Sequence, residues 1–219
     1  MGAPTPIVVF GAGGMGREIV VLLRDLEREQ PGTWNLLGFV DDALPNLDRC
    51  KSLGVAYLGN RDVVPSQLPP GTHFIAAIGN GDARKSVSLD LVNRGLIPAT
   101  LVHPSAWIGD CVDVGPGSVV CAGSILTTNI SVGVGCQVNV SCTISHDVVM
   151  GDFVTLSPAV NLTGAVTVGD LATIYTRASV NPAIHVGAKA IVGAGAVVVT
   201  SVSAGETVVG VPARPFARG

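Results

Sequence analysis

The chain has 219 residues, which allows one or two domains. Hydrophobic residues make up 47% of it and charged residues only 13%. Glycines and charges nevertheless interrupt every apolar stretch before the roughly 20 residues needed to span a bilayer. The net charge of −3 gives no reason to expect a nucleic acid or an anionic membrane as partner. No basic segment precedes the apolar residues 7–10, so the sequence predicts neither a signal peptide nor membrane insertion.

Strands and helices alternate over the first hundred residues. Strands are predicted at residues 6–10, 36–40, 55–58, 73–78 and 99–102, and helices at 17–30 and 82–93. Asp82 is the expected N-cap of the second helix, and residues 65–71 are a proline-rich loop. This alternation predicts a small parallel α/β domain, Rossmann-like but half-sized, over residues 1–101.

A glycine-rich loop follows the first strand. Gly11, Gly13 and Gly16 fit the dinucleotide fingerprint, and Asp41 lies near the expected acidic position. Such a loop lets a phosphate approach the backbone at a helix N-terminus. Because the domain is only half of a full dinucleotide fold, we expect a nucleotide sugar in preference to NAD. A purely structural glycine turn is the remaining alternative.

A six-residue period runs from Val102 to Val209. Seventeen of the eighteen first places are Val, Ile, Leu or Met, Ala204 being the exception, and every fifth place is Ala, Val, Ser, Cys or Ile. Eight second places are glycine, including Gly205. Three such hexads make one triangular coil whose first and fifth places point inward, with glycine and asparagine at the tight corners. The sequence therefore predicts a left-handed parallel β-helix of about six coils over residues 102–209, followed by a tail at 210–219.

The five cysteines are odd in number and lack paired spacing, which predicts a reducing, cytoplasmic location. Cys136 and Cys142 occupy inward fifth places and are expected to be inert.

Several motifs together resemble one family. They are GAGGMGRE at 11–18, VDD at 40–42, AIGN at 77–80, VHPSA at 102–106, SHD at 145–147, GVPAR at 210–214 and the hexads. The chain is similar to the bacterial sugar-nucleotide acetyltransferases, including the bacillosamine-pathway and perosamine N-acetyltransferases and the sialic-acid O-acetyltransferase relatives.

That resemblance implies a homotrimer with acetyl-CoA as co-substrate in the groove between neighbouring prisms, and no metal. It implies that His146 is the catalytic base and Asp147 its partner. The substrate-binding residues that it implies are Gly13, Gly14, Met15, Asp41, Asp42 and Gly79. The implied acetyl-CoA contacts are Thr155, Gly164, Thr176 and Ala194. Several members have His where Met15 stands, and the bacillosamine enzymes have a second His in place of Thr155.

The hexad pattern supports His146 independently. It is the third residue of its hexad, so its side chain should point outward, and residues eighteen apart should stack as Thr128, His146 and Gly164. Gly164 is expected to leave an empty place beside the imidazole for a thioester. A carboxylate next to the ring can hold the imidazole ready as a base. The alternative is a histidine at the surface or at a subunit interface.

Other chemistries fit less well. A zinc site would need three histidines converging on one metal, and no close histidine pair is predicted. A covalent acyl-cysteine route would need an outward, activated thiol, whereas Cys142 is predicted to point inward. The favoured reaction is direct N-acetylation of a nucleotide-linked 4-amino sugar in a ternary complex, with a backbone N–H such as that of Gly164 stabilising the oxyanion. O-acetylation of a sugar and a non-catalytic nucleotide-sensing trimer remain alternatives.

Overall fold

A computed structural model describes residues 3–62 and 64–216. The predicted domain at 1–101 and the predicted tail at 210–219 therefore lie partly outside the described residues, at positions 1, 2, 63 and 217–219. The chain divides into two compact units, with the boundary between Leu101 and Val102. Among the described residues, no helix has the length and apolarity needed to cross a bilayer.

The first unit is a parallel sheet with three helices. Its strands are β1 (Thr5–Phe10), β2 (Trp34–Val40), β3 (Tyr57–Gly59), β4 (His73–Ala76) and β5 (Ile97–Pro98), in the order β3-β2-β1-β4-β5. Its helices are α1 (Gly14–Glu29), α2 (Leu47–Ser52) and α3 (Gly81–Asn93), with a 3₁₀ turn at Val64–Gln67. Every strand pairing is parallel, which confirms the predicted fold class for this unit.

Three local predictions need correction. Asn80, not Asp82, is the N-cap of α3, because its side chain accepts a hydrogen bond from the backbone N–H of Ala83 at 2.9 Å. Helix α1 begins at Gly14, three residues before the predicted start, since the glycine loop itself supplies its first turn. Helix α2 was not predicted, and its six residues are capped by Asn46, which accepts from the N–H of Arg49.

The second unit is a triangular prism of short parallel strands, which confirms the left-handed parallel β-helix. The strands are β6 (Leu101–Val102), β7 (Trp107–Ile108), β8 (Val112–Val114), β9 (Val119–Val120), β10 (Ile125–Leu126), β11 (Ile130–Val132), β12 (Gln137–Val138), β13 (Thr143–Ile144), β14 (Val149–Met150), β15 (Thr155–Leu156), β16 (Asn161–Leu162), β17 (Thr167–Val168), β18 (Thr173–Ile174), β19 (Ser179–Val180), β20 (His185–Val186), β21 (Ile191–Val192), β22 (Val197–Val198), β23 (Thr207–Val209) and β24 (Arg214–Pro215). They form three sheets, one on each face of the prism. Partners are eighteen residues apart, as in the pairing of Leu126 with Ile144, so three hexads make one coil.

The prism interior is apolar as predicted. First-place and fifth-place residues such as Leu126, Cys142 and Val154 are fully buried and form one continuous core. Burial in this core raises the pKa of the Cys142 thiol to about 11, so the thiol stays protonated at neutral pH.

The corners of the prism are built differently from the prediction. Every residue between 102 and 209 with a positive φ occupies the fourth place of a hexad, and eleven of these residues are not glycine, for example Asp147 (φ 61°) and Lys189 (φ 58°). The second-place glycines are needed instead for close stacking of the coils. A Cβ on Gly133 would lie 2.4 Å from the carbonyl oxygen of Gly151.

The last coil is two residues shorter than the others. Ile191 pairs with Thr207 and Val186 with Val202, sixteen residues apart. Val202 is therefore buried in an inward place, whereas Ala204, the predicted first-place residue, is exposed. Gly205 has φ 72° and occupies a fourth place, not the predicted second place. Beyond it, β24 pairs antiparallel with β23.

We expect Gly133→Ala to destabilise the prism, because its methyl group would overlap the next coil. Overpacking of this kind costs about 1–3 kcal/mol. The thermal midpoint at fixed protein concentration measures the loss. Gly205→Asn is the control, since a Cβ there meets open space and asparagine tolerates the left-handed conformation. Equal losses in the two variants would contradict the stacking role.

Candidate active site

The glycine loop of the first unit exposes its backbone. Strand β1 ends at Phe10 and α1 begins at Gly14, with Gly13 as an N-cap that has no side chain to bond the first-turn N–H groups. A Cβ on Gly13 or Gly14 would meet nothing within 4 Å, whereas one on Gly16 would lie 1.8 Å from the carbonyl oxygen of Gly11. Gly16 thus permits the close approach of helix and loop, and the first turn of α1 stays open to an anion.

A cavity of about 460 Å³ lies at the carboxyl ends of β1 and β4. The order β3-β2-β1-β4-β5 reverses direction between these two strands, and ligands of open α/β sheets bind at such a switch point. The residues that line the cavity are Phe10, Gly11, Gly13, Asp41, Asp42, Arg61, Ala77, Ile78, Ala83, Ser86 and Val87. Three of the six predicted substrate residues are therefore together here, namely Gly13, Asp41 and Asp42. Gly14, Met15 and Gly79 are not among the lining residues.

The two adjacent aspartates have different surroundings. Asp41 accepts hydrogen bonds from the backbone N–H of Ala12 at 2.8 Å and of Ala43 at 3.0 Å. Its carboxylate therefore holds the glycine loop against the end of β2. Asp42 instead forms an ion pair with Arg61, the Nε–Oδ2 distance being 3.0 Å.

Arg84 on α3 is a charged residue that sequence reasoning missed. It is only 1% exposed, and its Nη1 donates to the carbonyl oxygens of Ile78 at 2.7 Å and Gly79 at 3.2 Å. Arg84 thereby fixes the turn after β4 that contains the predicted substrate residue Gly79. No sequence motif marks an arginine at this position.

His146 lies at a corner of the prism in the second unit, between β13 and β14. Its side chain is 62% exposed, and its Nδ1 lies 2.8 Å from Oδ2 of Asp147. Consecutive side chains can meet in this way because the backbone of Asp147 adopts a positive φ of 61°. The carboxylate can fix the ring tautomer and leave Nε2 as the basic nitrogen.

The predicted column of Thr128, His146 and Gly164 is present. The place beside the imidazole that the missing side chain of Gly164 was expected to leave is not empty. An ideal Cβ on Gly164 would lie 2.5 Å from Cε1 and 2.6 Å from Nε2 of His146. The imidazole itself therefore lies over the glycine, and the expectation of a free place for a thioester there is wrong. A side chain at position 164 would displace the ring. The backbone N–H of Gly164 donates to no acceptor in the described part of the chain.

The predicted acetyl-CoA contacts lie on different parts of the prism. Gly164 is at the His146 corner, whereas Thr176 and Ala194 stack at another corner, where both are exposed and the N–H of Gly195 donates to the carbonyl of Thr176. Thr155 is in β15 on the opposite face and is 7% exposed. One chain by itself does not bring these four residues together.

The other histidines have local partners. Nδ1 of His185 lies 2.8 Å from Oγ1 of Thr167, and Nδ1 of His103 accepts from the backbone N–H of Ser105. The ring of His73 makes an edge contact with Trp34. Over residues 3–62 and 64–216, no group of three His, Cys, Asp or Glu side chains converges on a metal position.

We expect Gly164→Ala to push the His146 ring away from its present position, because the methyl group would overlap the imidazole. A crystal structure of the variant would show a longer distance between Nδ1 and the Asp147 carboxylate. Thr128→Ala, one coil below, is the control and should leave the ring in place. An unmoved imidazole in the Gly164 variant would contradict the packing described here.

Comparison with known proteins gives matches over both units. Residues 6–91 match the PglD N-terminal domain family. A GDP-perosamine N-acetyltransferase from Escherichia coli O157:H7 is 33% identical over 125 residues, which are 57% of this chain and 55% of that protein. The match thus spans about half the length of this curated relative.

The solved structures that match almost the whole chain include the following two. A histidine-to-asparagine variant of perosamine N-acetyltransferase from Caulobacter crescentus, in complex with CoA and GDP-perosamine, is 28% identical with a TM-score of 0.87, covering 100% of this chain and 98% of that one. WeeI from Acinetobacter baumannii AYE is 31% identical with a TM-score of 0.85, covering 97% and 100%. The chain therefore belongs to the bacterial sugar-nucleotide acetyltransferase family that combines a PglD-type N-terminal domain with a hexapeptide-repeat β-helix.

Proposed function

We propose that the protein transfers an acetyl group from acetyl-CoA to the amino group of a nucleotide-linked amino sugar, most specifically a 4-amino sugar. The observation that carries the proposal is the His146–Asp147 pair, whose Nδ1–Oδ2 distance is 2.8 Å on an exposed corner of the prism. The relatives named above include one solved with CoA and GDP-perosamine bound, which supports this pair of substrates.

His146 acts as the general base in a direct transfer. The sugar amine attacks the carbonyl carbon of the acetyl thioester, and the amine proton passes to Nε2 of His146. The C–S bond then breaks, and CoA leaves as the thiolate, which takes up a proton. Asp147 stabilises the positive imidazolium that forms, as a carboxylate beside a catalytic histidine does.

The backbone N–H of Gly164 is the proposed donor to the oxyanion that develops on the thioester carbonyl. Gly164 is packed against the imidazole, so the base and this proposed donor come from adjacent coils. Donors aimed at developing charge are typically worth about 10²–10³-fold in turnover. Cys142 takes no part, because its thiol is buried and protonated.

The first unit binds the nucleotide. The cavity at the ends of β1 and β4 accepts the nucleoside, and the open first turn of α1 at Gly13 and Gly14 favours the pyrophosphate. Met15, Asp41, Asp42 and Gly79 complete this proposed region. Asp41 contributes by holding the loop at Ala12.

The acetyl-CoA site is formed between chains in a homotrimer. Gly164 lies at one corner of the prism, and Thr176 and Ala194 lie at another, so a groove between neighbouring prisms is the simplest way to use both corners. Thr155 and Gly164 are buried, whereas Thr176 and Ala194 are exposed. The five cysteines are free, which agrees with the reducing cytoplasm that we propose as the location.

The proposal is tested by following release of free CoA thiol from acetyl-CoA. The acceptors are GDP-, UDP- and dTDP-linked 4-amino sugars, with free sialic acid included for O-acetylation. Turnover on an amino-sugar nucleotide supports the proposal. Turnover on sialic acid alone would replace it with sugar O-acetylation, and no turnover on any acceptor would favour a nucleotide-sensing role.

In the same assay, we expect His146→Ala to lower turnover by about 10²–10⁴-fold, the usual worth of general-base assistance. Its stability should change by less than about 0.5 kcal/mol because the side chain is outside the core. Asp147→Asn should cost less, since an amide can orient the ring but cannot stabilise its positive form. Asparagine also tolerates the positive φ at this corner.

His185→Ala is the matched control for His146, because it removes another exposed prism histidine, whose ring forms a hydrogen bond with Thr167. It should retain normal turnover. Near-normal turnover of His146→Ala, or an equal loss in both variants, would show that His146 is not the base.

We also expect a trimer in solution. Analytical ultracentrifugation at micromolar concentration should give about three times the 22.2 kDa chain mass, and dissociation of the trimer should abolish acetyl-CoA binding. A monomer that binds acetyl-CoA tightly would contradict the shared groove.

A further inference from the structure

Helix α3 buries a cation on the face that packs into the core. The buried residues of α3 include Arg84, Val87 and Leu91, a helical spacing that forms one face of the helix. Arg84 is 1% exposed and is the largest of the fully buried side chains in the described part of the chain. Burial of a guanidinium costs free energy unless hydrogen bonds compensate for the lost water. An apolar side chain would therefore be the ordinary choice at this position.

The place of Arg84 along the helix adds to this cost. Helix α3 begins at Gly81, so Arg84 ends its first turn, where the positive end of the helix dipole disfavours a cation. Burial and helix position thus both work against the charge. Departures of this kind from local sequence rules are typical of functional positions, so the contacts of the guanidinium indicate its role.

Those contacts are with the turn that joins β4 to α3. Nη1 of Arg84 donates to the carbonyl oxygens of Ile78 at 2.7 Å and of Gly79 at 3.2 Å. The backbone N–H of Arg84 donates to the carbonyl of Asn80 at 2.9 Å. One residue of α3 therefore binds three consecutive carbonyl groups and fixes the backbone of the turn.

The same turn forms part of the wall of the cavity in the first unit. Ala77 and Ile78 line the cavity together with Gly11 and Gly13. The N–H of Ala77 donates to the carbonyl of Phe10 at 2.7 Å, and a Cβ on Gly11 would lie 2.8 Å from the carbonyl oxygen of Ala77. The turn and the glycine loop are in close contact, so a displacement of the turn would also displace the loop.

We propose that Arg84 is a positioning residue for the nucleotide-linked substrate. Its guanidinium holds the turn between β4 and α3, and through the turn the glycine loop, in one conformation before the nucleotide enters. Because these backbone residues are ordered on folding, their loss of conformational entropy no longer opposes binding. The assignment deepens the proposed function and rests on it for the role of the cavity as the nucleotide site.

Calorimetry with free nucleoside diphosphates tests this role without acetyl transfer. The probes are GDP, UDP and dTDP, and the one that the unaltered chain binds most tightly is used for the variants. Arg84→Met lacks a donor and should weaken this probe at least about tenfold, the cost of ordering roughly one backbone residue on binding. Arg84→Lys should recover part of the loss, because an ammonium group still donates to carbonyl oxygens. Unchanged affinity in Arg84→Met would overturn the proposal.

Leu23→Ala is the control for a general loss of stability. Leu23 is 2% exposed in α1 of the same unit and is outside the cavity lining, so its truncation should lower the thermal midpoint by leaving a void in the core. Well below the midpoint of each variant, Leu23→Ala should bind the probe normally. Equal weakening in Leu23→Ala and Arg84→Met, or no recovery in Arg84→Lys, would show that Arg84 is only structural.

Kinetics separate this assignment from the proposed function. Arg84→Met should raise KM for the nucleotide-linked amino sugar at least about tenfold, with kcat and KM for acetyl-CoA unchanged, as expected when only substrate binding is weakened. Arg84-dependent nucleotide binding without acetyl transfer would contradict the enzymatic proposal alone. Normal acetyl transfer with a KM that does not depend on Arg84 would overturn the positioning role alone. If the unaltered chain binds none of the three nucleotides, the cavity is not a nucleotide site and the positioning role is wrong.

Discussion

Backbone hydrogen bonding between successive coils is the constraint on which the prism depends. Each coil donates to the next, as the N–H of Thr127 does to the carbonyl of Ile144 at 3.0 Å, and the paired residues, such as Leu126 and Ile144, are eighteen apart in the chain. The eighteen-residue register holds where successive coils have the same length, and it becomes sixteen in the shorter last coil. Stacking of the coils also requires apolar inward places and second places that allow neighbouring coils to approach. These conditions fix the first, second and fifth places of the hexad. His146 and Asp147 occupy a third and a fourth place, where both side chains are exposed.

The corner geometry explains how an imidazole and the carboxylate that it contacts can belong to consecutive residues. Neighbouring side chains on a regular strand point to opposite faces, and a helix would separate them by about 100°. The positive φ of Asp147 turns its carboxylate back toward the imidazole. In the cavity of the first unit, Asp42 and Arg61 are instead brought together by the order of strands in the sheet. The two units thus organise polar groups by local and by long-range structure respectively.

The difference between these devices also explains what the sequence could predict. The hexads identified the prism, the inward cysteines and the outward His146, because each inference needs only the local repeat. The shortening of the last coil by two residues was not predicted, although Ala204 was the one first-place residue that broke the aliphatic pattern. The position of the imidazole over Gly164 depends on a side-chain rotamer, which no repeat determines. Arg61 and Arg84 gain their roles from tertiary neighbours, so no motif could mark them.

The antiparallel strand β24 affects how the stack of coils ends. The last coil of a parallel β-helix leaves a row of unpaired N–H and C=O groups, and such an edge invites pairing with another chain. In this chain Val208 and Val209 pair with Pro215 and Arg214, and the N–H of Phe216 donates to Thr207 at 2.7 Å. Proline has no N–H to offer to a further strand. The reversed strand thus covers the edge of β23 on this face of the prism, and a chain cut before Ala213 would leave that edge open to pairing with another strand.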